Sequence, residues 1–465
     1  MSMYRLLAAW LHKLLDPPPP PQRGLPRLAT GDAVAWPIPA TPPAGALAPL
    51  PIGGATTAAD AKRAKRLRVY EAFDASMPVI NREGLAGRER ELERLSQAVI
   101  EERRHAIIYG ARGSGKTSLS RVFGDMADEQ GCLVLYNSVS GDIGFDTLFR
   151  PYLQELASEW GGSLGAALLA LAAEPDFDAR RIAGLLTERV QAPTLLVLDE
   201  FDRVTEPATK AELASLLKLL SDMRSDVRII VVGIAASLDD LVASHPSLRR
   251  HMISIPVSGI SKTTLTELLA KCSAAAGVTM APEAADLIAE SALFSPYHLR
   301  LFGLQAALAA ERAGTGMVDT ATARNGLSNA FEDWRDISGT GTDLLIKLAE
   351  RRNSQAAYAA ALAAFLAATR GSFSVGELAG EIASAHPDRH DSEVLAREAT
   401  TTLMPLLTAA TQGDDRFIFR DALAPQFYLL LYGGIVGSGA GGIRAIPGLE
   451  EAAARPRQVA GASLS

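Results

Sequence analysis

The stretch GARGSGKT, from Gly110 to Thr117, decides the fold of this chain. It matches the phosphate-binding pattern G-x-x-x-x-G-K-[ST], follows the apolar run HAIIYG and precedes the amphipathic stretch SLSRVFGDMA. This strand–loop–helix order is the context that the motif requires. Glycines let backbone N–H groups close around phosphates, aided by the positive end of the following helix. A glycine-rich turn with a surface lysine is the alternative, but the complete pattern favours binding of a nucleoside triphosphate.

The residue types of this loop each suit that chemistry. Lys116 is expected to neutralise the β- and γ-phosphates, and the hydroxyl of Thr117 is expected to bind Mg²⁺. Contacts to the nucleotide are expected from the whole loop and from the residue after it: Gly110, Ala111, Arg112, Gly113, Ser114, Gly115, Lys116, Thr117 and Ser118.

A pair of acids follows a second buried-strand pattern about 80 residues after the loop. The run TLLVL, residues 194–198, ends in Asp199 and Glu200. A carboxylate at the carboxyl end of a parallel strand beside the loop strand can hold Mg²⁺. Asp199 is therefore predicted to bind the metal and Glu200 to act as the base that polarises water. The alternative is an ordinary strand end followed by a solvated turn.

Five strand-like segments alternate with helical stretches, which favours an α/β fold with a parallel sheet covered on both faces. Ligands of such sheets bind at the carboxyl ends of the strands. The predicted strands are 105–110, 132–138, 194–198, 227–233 and 252–257.

Composition sets limits on the class of protein. The chain has 465 residues, enough for two or three domains, and its content of 48% hydrophobic and 21% charged residues is globular. A net charge of −7 excludes a general polyanion binder. Cys132 and Cys272 lie in apolar stretches and are expected to be buried thiols of a reducing compartment, which indicates a cytoplasmic location. No apolar run reaches the ~18 residues that a transmembrane helix needs.

The N-terminal region precedes the predicted folded body. Residues 1–15 have a helical apolar pattern, and either a helix packed on the body or a membrane- or partner-docking helix fits it. Residues 16–61 are rich in Pro, Ala and Gly and predict a linker. The basic cluster that starts at Lys62 is more typical of a solvated helix face than of a nucleic-acid site.

Several segments together resemble a known family. GRERELERL, GARGSGKTSL, LLVLDEFDRV, VVGIAASLDDL and SLRRHMISIPVSGIS occur in the order seen in P-loop ATPases of the AAA+/STAND superclass, in the origin-recognition-complex-like and archaeal-ATPase-like branch. The resemblance covers roughly residues 79–335. It implies a RecA-like αβα core over residues 62–260, a helical lid over residues 261–335, and ATP with Mg²⁺ as the bound cofactors.

The resemblance also implies roles for residues outside the loop. Relatives often carry an arginine before the fifth strand that reaches a neighbouring subunit's nucleotide, and Arg249 and Arg250 occupy that position. Arg300 follows Ser295-Pro296, where relatives place an arginine that touches the γ-phosphate. Where relatives usually have Asn at the end of the fourth strand, this chain offers only Ser237, which predicts slow hydrolysis. Surface arginines are the alternative interpretation.

Residues 342–432 show a succession of predicted helices and a predicted hairpin that is typical of winged-helix domains. One helix is predicted from Thr342 to Arg370, and Ser374 is predicted to cap a second helix that begins with VGELAGEIA. A third helix is predicted over residues 392–407, and GDDRFIFRD resembles a β-hairpin. Residues 371–432 carry four arginines, no lysine and nine acids. Because nucleic-acid binding depends on phosphate neutralisation, this composition favours protein partners. Residues 433–465 are predicted to form a flexible tail.

The sequence therefore predicts a nucleotide-dependent molecular switch that acts through protein contacts. A DNA-acting ATPase and a non-hydrolysing ATP-bound scaffold are the alternatives. If the arginines before the fifth strand act in trans, the protein is expected to form ATP-dependent homo-oligomers.

Overall fold

The computed structural model describes residues 58–80, 82–139, 141, 143–233, 246–351, 353–386, 390–409 and 415–436. The predicted N-terminal helix and Ser237 lie outside the described residues, as do nearly all of the predicted linker and tail. The roles predicted for those segments stay predictions.

A five-stranded parallel sheet forms the centre of the structure, as predicted. Its strand order is β2-β3-β4-β1-β5, and every residue of β3 and β4 is buried. The strands differ from the predicted segments by one residue at most. They are β1 (His105–Gly110), β2 (Leu133–Ser138), β3 (Thr194–Asp199), β4 (Val227–Gly233) and β5 (Met252–Val257).

One detail of the predicted sheet was wrong. The strand that ends in Asp199 was expected beside the loop strand, but β4 lies between β3 and β1. Because neighbouring strands are about 4.8 Å apart, Asp199 and the loop strand are separated by about two strand spacings. A ligand between them therefore lies above the carboxyl end of β4.

Seven helices precede residue 234 in the described part of the chain, and they include those that cover the two faces of this sheet. They are α1 (Ala58–Ala72), α2 (Glu89–Leu95), α3 (Lys116–Glu129), α4 (Phe145–Trp160), α5 (Gly162–Ala173), α6 (Ala179–Arg189) and α7 (Pro207–Asp222).

Side chains of the central strands contribute to two separate hydrophobic cores. Ile107 of β1 belongs to the core with Leu148 of α4, whereas Ile108 belongs to the core with Leu119 of α3. Successive strand residues point to opposite faces, so the continuous apolar run of β1 serves both cores at once. This is the three-layer αβα arrangement predicted from the sequence.

The remaining helices lie in or overlap the segments predicted as a helical lid (residues 261–335) and a C-terminal domain (residues 342–432). The labels lid and C-terminal module are kept for these helices, and the division into domains stays a prediction. The lid helices are α8 (Lys262–Ala276), α9 (Pro282–Ser291), α10 (Pro296–Ala313) and α11 (Thr320–Ser338). A two-stranded sheet joins β6 (Thr279–Met280) and β7 (Met317–Val318).

The C-terminal module combines five helices with a small antiparallel sheet. The helices are α12 (Thr340–Glu350), α13 (Gln355–Arg370), α14 (Val375–Ala385), α15 (Ser392–Leu403) and α16 (Ala424–Tyr432). The sheet has the order β8-β10-β9, from β8 (Phe373–Ser374), β9 (Leu407–Ala409) and β10 (Arg416–Phe419). The winged-helix interpretation stays a prediction.

Two predicted helices of this module have different bounds in the structure. The helix predicted from Thr342 to Arg370 is two helices, since Ser354 caps a new helix by accepting a hydrogen bond from the Ala357 backbone N–H at 3.2 Å. The helix predicted to reach residue 407 ends at Leu403, because the chain turns at Pro405 and Leu407 starts β9. The predicted cap at Ser374 is confirmed as a reciprocal capping box with Glu377.

The lid and the C-terminal module share one hydrophobic core, which the sequence analysis did not predict. Phe427 of α16 stacks on Trp334 of α11 at 4.9 Å between ring centroids, and its ring also contacts Phe302 of α10 at 6.0 Å. The same core takes in Val69 of α1 and Phe73, the residue that follows this helix. The lid, the module and α1 therefore pack as one body, built on side chains from both ends of the described chain.

Two smaller expectations concern the cysteines and membrane helices. Cys132 and Cys272 are both free and buried. None of the helices in the described part of the chain is both long enough and apolar enough to cross a membrane.

Replacing Phe427 with Ala tests the shared core. Phe427 is fully buried, so the substitution should lower the free energy of unfolding by about 3–5 kcal/mol, measured by denaturant titration. Phe417→Ala, at a half-buried ring of β10, is the control and should cost clearly less. Equal effects of the two substitutions would contradict a core centred on Phe427.

Candidate nucleotide site

The loop between β1 and α3 has the backbone that phosphate binding needs. Gly113 and Gly115 have φ values of 75° and 92°, in the left-handed region that side chains rarely adopt. At Gly110 an added Cβ would lie 2.1 Å from the backbone oxygen of Val257 on β5. Glycine is therefore required at the start of the loop because the β5 backbone approaches too closely for a side chain. Within the loop it is required because the backbone is left-handed.

Lys116 turns its ammonium group back into the loop. Its Nζ donates to the backbone oxygens of Gly110 and Ala111 at 3.1 and 2.9 Å. Removal from water lowers the pKa of Lys116 to about 8, although the nearby carboxylates of Asp202 and Asp199 act in the opposite direction. A cation held by two carbonyls is available to the phosphates of a bound nucleotide.

Ser114 supplies a second indication that the loop fits a ligand. Its hydroxyl is buried and has no hydrogen-bond partner among the described residues. Buried polar groups normally have partners, so an unpaired hydroxyl inside a phosphate-binding loop fits a site completed by a ligand. The residues present therefore fit ATP.

Asp199 and Thr117 are connected through a short chain of hydrogen bonds. The hydroxyl of Tyr136 on β2 donates to Asp199 Oδ2 and lies 3.1 Å from Ser120 Oγ. Ser120 Oγ also lies 3.0 Å from the backbone oxygen of Thr117, and its single proton serves either that oxygen or the Tyr136 hydroxyl. Asp199 and the backbone of Thr117 are thus linked through Tyr136 and Ser120.

The donor set suits Mg²⁺ rather than a metal held by protein alone. Within the described ranges, no group of three His, Cys, Asp or Glu side chains is placed to hold a metal ion. Mg²⁺ is commonly bound by one or two carboxylates together with phosphate oxygens and waters. Asp199 and the Thr117 hydroxyl fit that pattern with a nucleotide present.

Glu200 begins the turn after β3 in a left-handed conformation, with φ at 56°. Its Oε2 accepts a hydrogen bond from Ser138 Oγ at 3.1 Å, and it pairs with Arg203 at 3.1 Å. Both side chains of the ion pair are about half exposed, so the pair contributes little to stability. The ion pair nevertheless involves the carboxylate that was predicted to act as the base.

Arg88 is a loop-fixing residue that the sequence analysis did not single out. Its guanidinium is buried and donates to the backbone oxygens of Ser114, at 2.8 Å, and Ser258. It also pairs with Glu91 at 3.0 Å. Arg88 therefore ties the segment before α2 to both the loop and the end of β5; its place in the GRERELERL box was the available signal.

The lid reaches the loop through the first turn of α10. Ser295 caps that helix, and its hydroxyl also donates to the backbone oxygen of Gly113 at 3.1 Å. His298 Nδ1 lies 2.9 Å from the same hydroxyl, and burial lowers the pKa of His298 to about 3. His298 is thus a buried neutral side chain that supports this contact.

The C-terminal module also reaches the loop. Gly371 ends α13 with a φ of 85°, and a Cβ placed there would lie 3.1 Å from the Cα of Ala111. The loop is therefore in contact with the lid on one side and with the C-terminal module on another.

The other predicted site residues lie nearby or on the surface. Ser118 Oγ accepts from the Val79 backbone N–H at 3.1 Å, and Arg112 pairs with Asp202 at 3.5 Å. Arg300 Nη2 lies 3.5 Å from the backbone oxygen of Gly84, a long contact on the segment before α2. Its predicted role at the γ-phosphate stays a prediction.

Arg249 and Arg250 end a short 3₁₀ helix before β5, and both are exposed. They are not brought to the loop of their own chain by any contact in the described structure. Exposure is what a residue acting on a neighbouring subunit requires, but it is also what a surface arginine shows. Their trans role stays a prediction.

Comparison with known proteins gives a family match over part of the chain. Residues 84–232 match the model of the AAA ATPase domain. This confirms the resemblance to P-loop ATPases of the AAA+ class over that segment, which includes the loop, Asp199 and Glu200. No curated protein matches the chain.

Three solved structures are similar to the chain over most of its length. A Walker-type ATPase of Pyrococcus abyssi has 18% identity and a TM-score of 0.48, covering 77% of this chain and 99% of its own. The ORC2 protein of Aeropyrum pernix has 17% identity and a TM-score of 0.44, covering 78% and 97%. The RuvB Holliday junction branch migration motor of Thermotoga maritima has 15% identity and a TM-score of 0.39, covering 73% and 94%.

Lys116→Ala tests the site as a whole. The substitution removes the ammonium group that faces the loop carbonyls while leaving the backbone cradle, so ATP affinity measured by calorimetry should fall roughly 10- to 150-fold, as expected for a charged hydrogen bond of about 1.5–3 kcal/mol. Lys271→Ala, at an exposed lysine of α8, is the control and should bind ATP normally. Unchanged binding by Lys116→Ala would refute the site.

Proposed function

We propose that this chain binds Mg²⁺ and ATP and acts as a nucleotide-dependent switch that hydrolyses ATP slowly. The observation that carries the proposal is that one phosphate-binding loop contacts both other parts of the molecule. Ser295 of the lid donates to Gly113, and Gly371 of the C-terminal module abuts Ala111. A nucleotide that enters this loop meets both contacts.

The proposed roles follow from the side chains at the loop. Lys116 and the loop N–H groups bind the phosphates, while Thr117 and Asp199 hold the metal. Mg²⁺, when bound, neutralises charge on the transferring phosphoryl group. Glu200 accepts the proton of the attacking water, because its carboxylate lies one residue beyond the metal ligand.

Slow turnover is supported by the state of Glu200. Ser138 and Arg203 both engage Oε2 of its carboxylate, so these two contacts hold the side chain in its resting orientation. A base that is engaged in the resting state suits a switch, since the ATP-bound form then persists long enough to act on a partner.

The lid and the C-terminal module are proposed to move together. Trp334, Phe302 and Phe427 join them in one core, so the two parts cannot separate without exposing large aromatic side chains. Any shift of the Ser295–Gly113 contact on nucleotide binding is therefore passed to the C-terminal module as a rigid-body movement.

Charge supports a protein partner for the C-terminal module. Its residues 371–432 carry nine acids against four arginines. Arg397, the single arginine of α15, already pairs with Glu393 at 2.7 Å. A surface of this charge repels phosphate backbones, so we propose contacts to protein rather than to nucleic acid.

Glu200→Gln separates binding from turnover. The amide keeps the size of the side chain but cannot accept the proton, so the variant should bind ATP normally and lose at least about 100-fold in phosphate release. Glu159→Gln, at an exposed acid of α4, is the control. Hydrolysis by Glu200→Gln at the wild-type rate would remove Glu200 from the mechanism.

The switch itself is tested with the same variant. The Glu200→Gln protein loaded with ATP and the Lys116→Ala protein should differ in which proteins they retain in an affinity pull-down. Identical retained sets would contradict a nucleotide-dependent switch, even if ATP is bound and hydrolysed.

A trans role for Arg249 and Arg250 predicts assembly. ATP with Mg²⁺ should promote self-association in sedimentation, and activity per chain should rise with protein concentration. Changing both residues to Ala should cut hydrolysis roughly 10³- to 10⁵-fold with ATP affinity nearly unchanged, because the free monomer lacks the contact.

The matched control changes Arg180 and Arg189, two exposed arginines of α6, to Ala. A protein that stays monomeric with ATP, with activity independent of concentration, would show that the arginines before β5 do not act in trans.

A further inference from the structure

Tyr136 is a half-buried tyrosine near the end of β2, and its hydroxyl contacts Asp199, one of the two proposed metal ligands. The hydroxyl donates to Asp199 Oδ2, and Ser120 Oγ lies 3.1 Å away on the other side. The pairing of β2 with β3 explains why the Tyr136 hydroxyl reaches the Asp199 carboxylate. Ser138 lies opposite Asp199 in the ladder, so Tyr136, two residues earlier on the same face, lies diagonally across from the carboxylate.

Asp199 has both carboxylate oxygens fixed by protein donors. Oδ2 accepts from Tyr136, and Oδ1 accepts from the backbone N–H of Glu200 at 2.8 Å. The side chain is also almost fully buried. With one donor on each oxygen, the plane of the carboxylate is set, and so is the direction of its remaining lone pairs.

Tyr136 is held in place in turn. The guanidinium carbon of Arg121 lies 4.3 Å from the centroid of its ring, a cation–π contact, and Ser120 is the next residue back on α3. The same helix carries Thr117 in its first turn, and Ser120 Oγ lies 3.0 Å from the Thr117 backbone oxygen. The phenol therefore bridges β3 and α3, the two elements that supply the proposed metal ligands.

We propose that Tyr136 is a positioning residue that orients the Asp199 carboxylate toward the Mg²⁺ of the bound nucleotide. This inference rests on the proposed function, in which Asp199 and Thr117 hold that metal. Tyr136 does not touch the metal. Its hydroxyl removes the rotational freedom of the carboxylate, so less order has to be gained when Mg²⁺ binds. Hydrogen-bonding partners of metal ligands typically contribute about 10- to 100-fold to metal affinity.

Tyr152 provides a matched comparison within the same layer. It is a fully buried tyrosine of α4 whose hydroxyl donates to the backbone oxygen of Val197, also on β3. Loss of that hydroxyl removes a hydrogen bond to the same strand without touching a side chain of the site. A tyrosine whose role is only to hold β3 would behave like Tyr152.

The experiment compares Tyr136→Phe with Tyr152→Phe and the wild type in the full chain. ATP binding is measured by calorimetry in EDTA and at increasing Mg²⁺, and hydrolysis is measured over the same Mg²⁺ range. In Tyr136→Phe the Mg²⁺ concentration for half-maximal effect should rise about 10- to 100-fold, while ATP affinity in EDTA is unchanged. Saturating Mg²⁺ should restore most of the hydrolysis rate. Tyr152→Phe should keep the wild-type Mg²⁺ requirement.

Ser120→Ala is the second variant, and it keeps the phenol while removing its other partner. The Mg²⁺ requirement should rise in the same direction but by less than in Tyr136→Phe. This variant carries the test if thermal unfolding shows that Tyr136→Phe does not fold. A wild-type Mg²⁺ requirement in the folded variants, or an equal rise in Tyr152→Phe, would overturn the positioning role.

Asp199→Asn distinguishes failure of this inference from failure of the proposed function. If ATP binding by the wild type does not respond to Mg²⁺, or Asp199→Asn responds as the wild type does, the proposed metal site is wrong. If Asp199→Asn loses the response and Tyr136→Phe keeps it, the metal site stands and only the role of Tyr136 is refuted.

Discussion

The close approach of β1 and β5 at the end of the parallel ladder is the constraint on which the rest of the structure depends. Gly110 pairs with Val257 there, with no space for a side chain between them. The chain must turn away directly after this pair, and Gly113 and Gly115 supply the left-handed backbone for the turn. Arg88 then fixes the loop by joining Ser114 to Ser258, just beyond β5. Lys116, the phosphate cradle and the start of α3 all take their positions from this junction.

The second organising feature is that the loop is shared. Its carbonyl at Gly113 belongs to the cap of a lid helix, and Ala111 lies against the end of a helix in the C-terminal module. Since the lid and the module have a common core, these two contacts are made by one body. The phosphate-binding loop is therefore also a joint between the sheet and everything that follows residue 260. The coupling proposed above between nucleotide state and the C-terminal module depends on these two contacts.

The sequence predicted what is determined locally and left out what depends on distant partners. The strands, the loop and the Asp199–Glu200 pair carry their own patterns, so their positions were predicted to within a residue. Arg88 and Tyr136 carry no such local pattern, because their partners lie up to 170 and 63 positions away in the sequence. A single arginine or tyrosine does not indicate which distant residue it contacts. The order β3-β4-β1 was missed because periodicity shows that strands exist but not which are neighbours. The shared core was missed since apolar helix faces do not identify what covers them.

That shared core also sets the order of events during synthesis. Phe73 lies against Gly303 in a core completed by Phe427, roughly 350 positions later in the chain. At about 5–20 residues per second, a ribosome needs tens of seconds to cover that distance. The sheet with its loop is finished well before α16 emerges, so the αβα layers have time to fold on their own. The faces of α10 and α11 that Phe427 covers stay exposed during that interval, because their partner has not yet been synthesised.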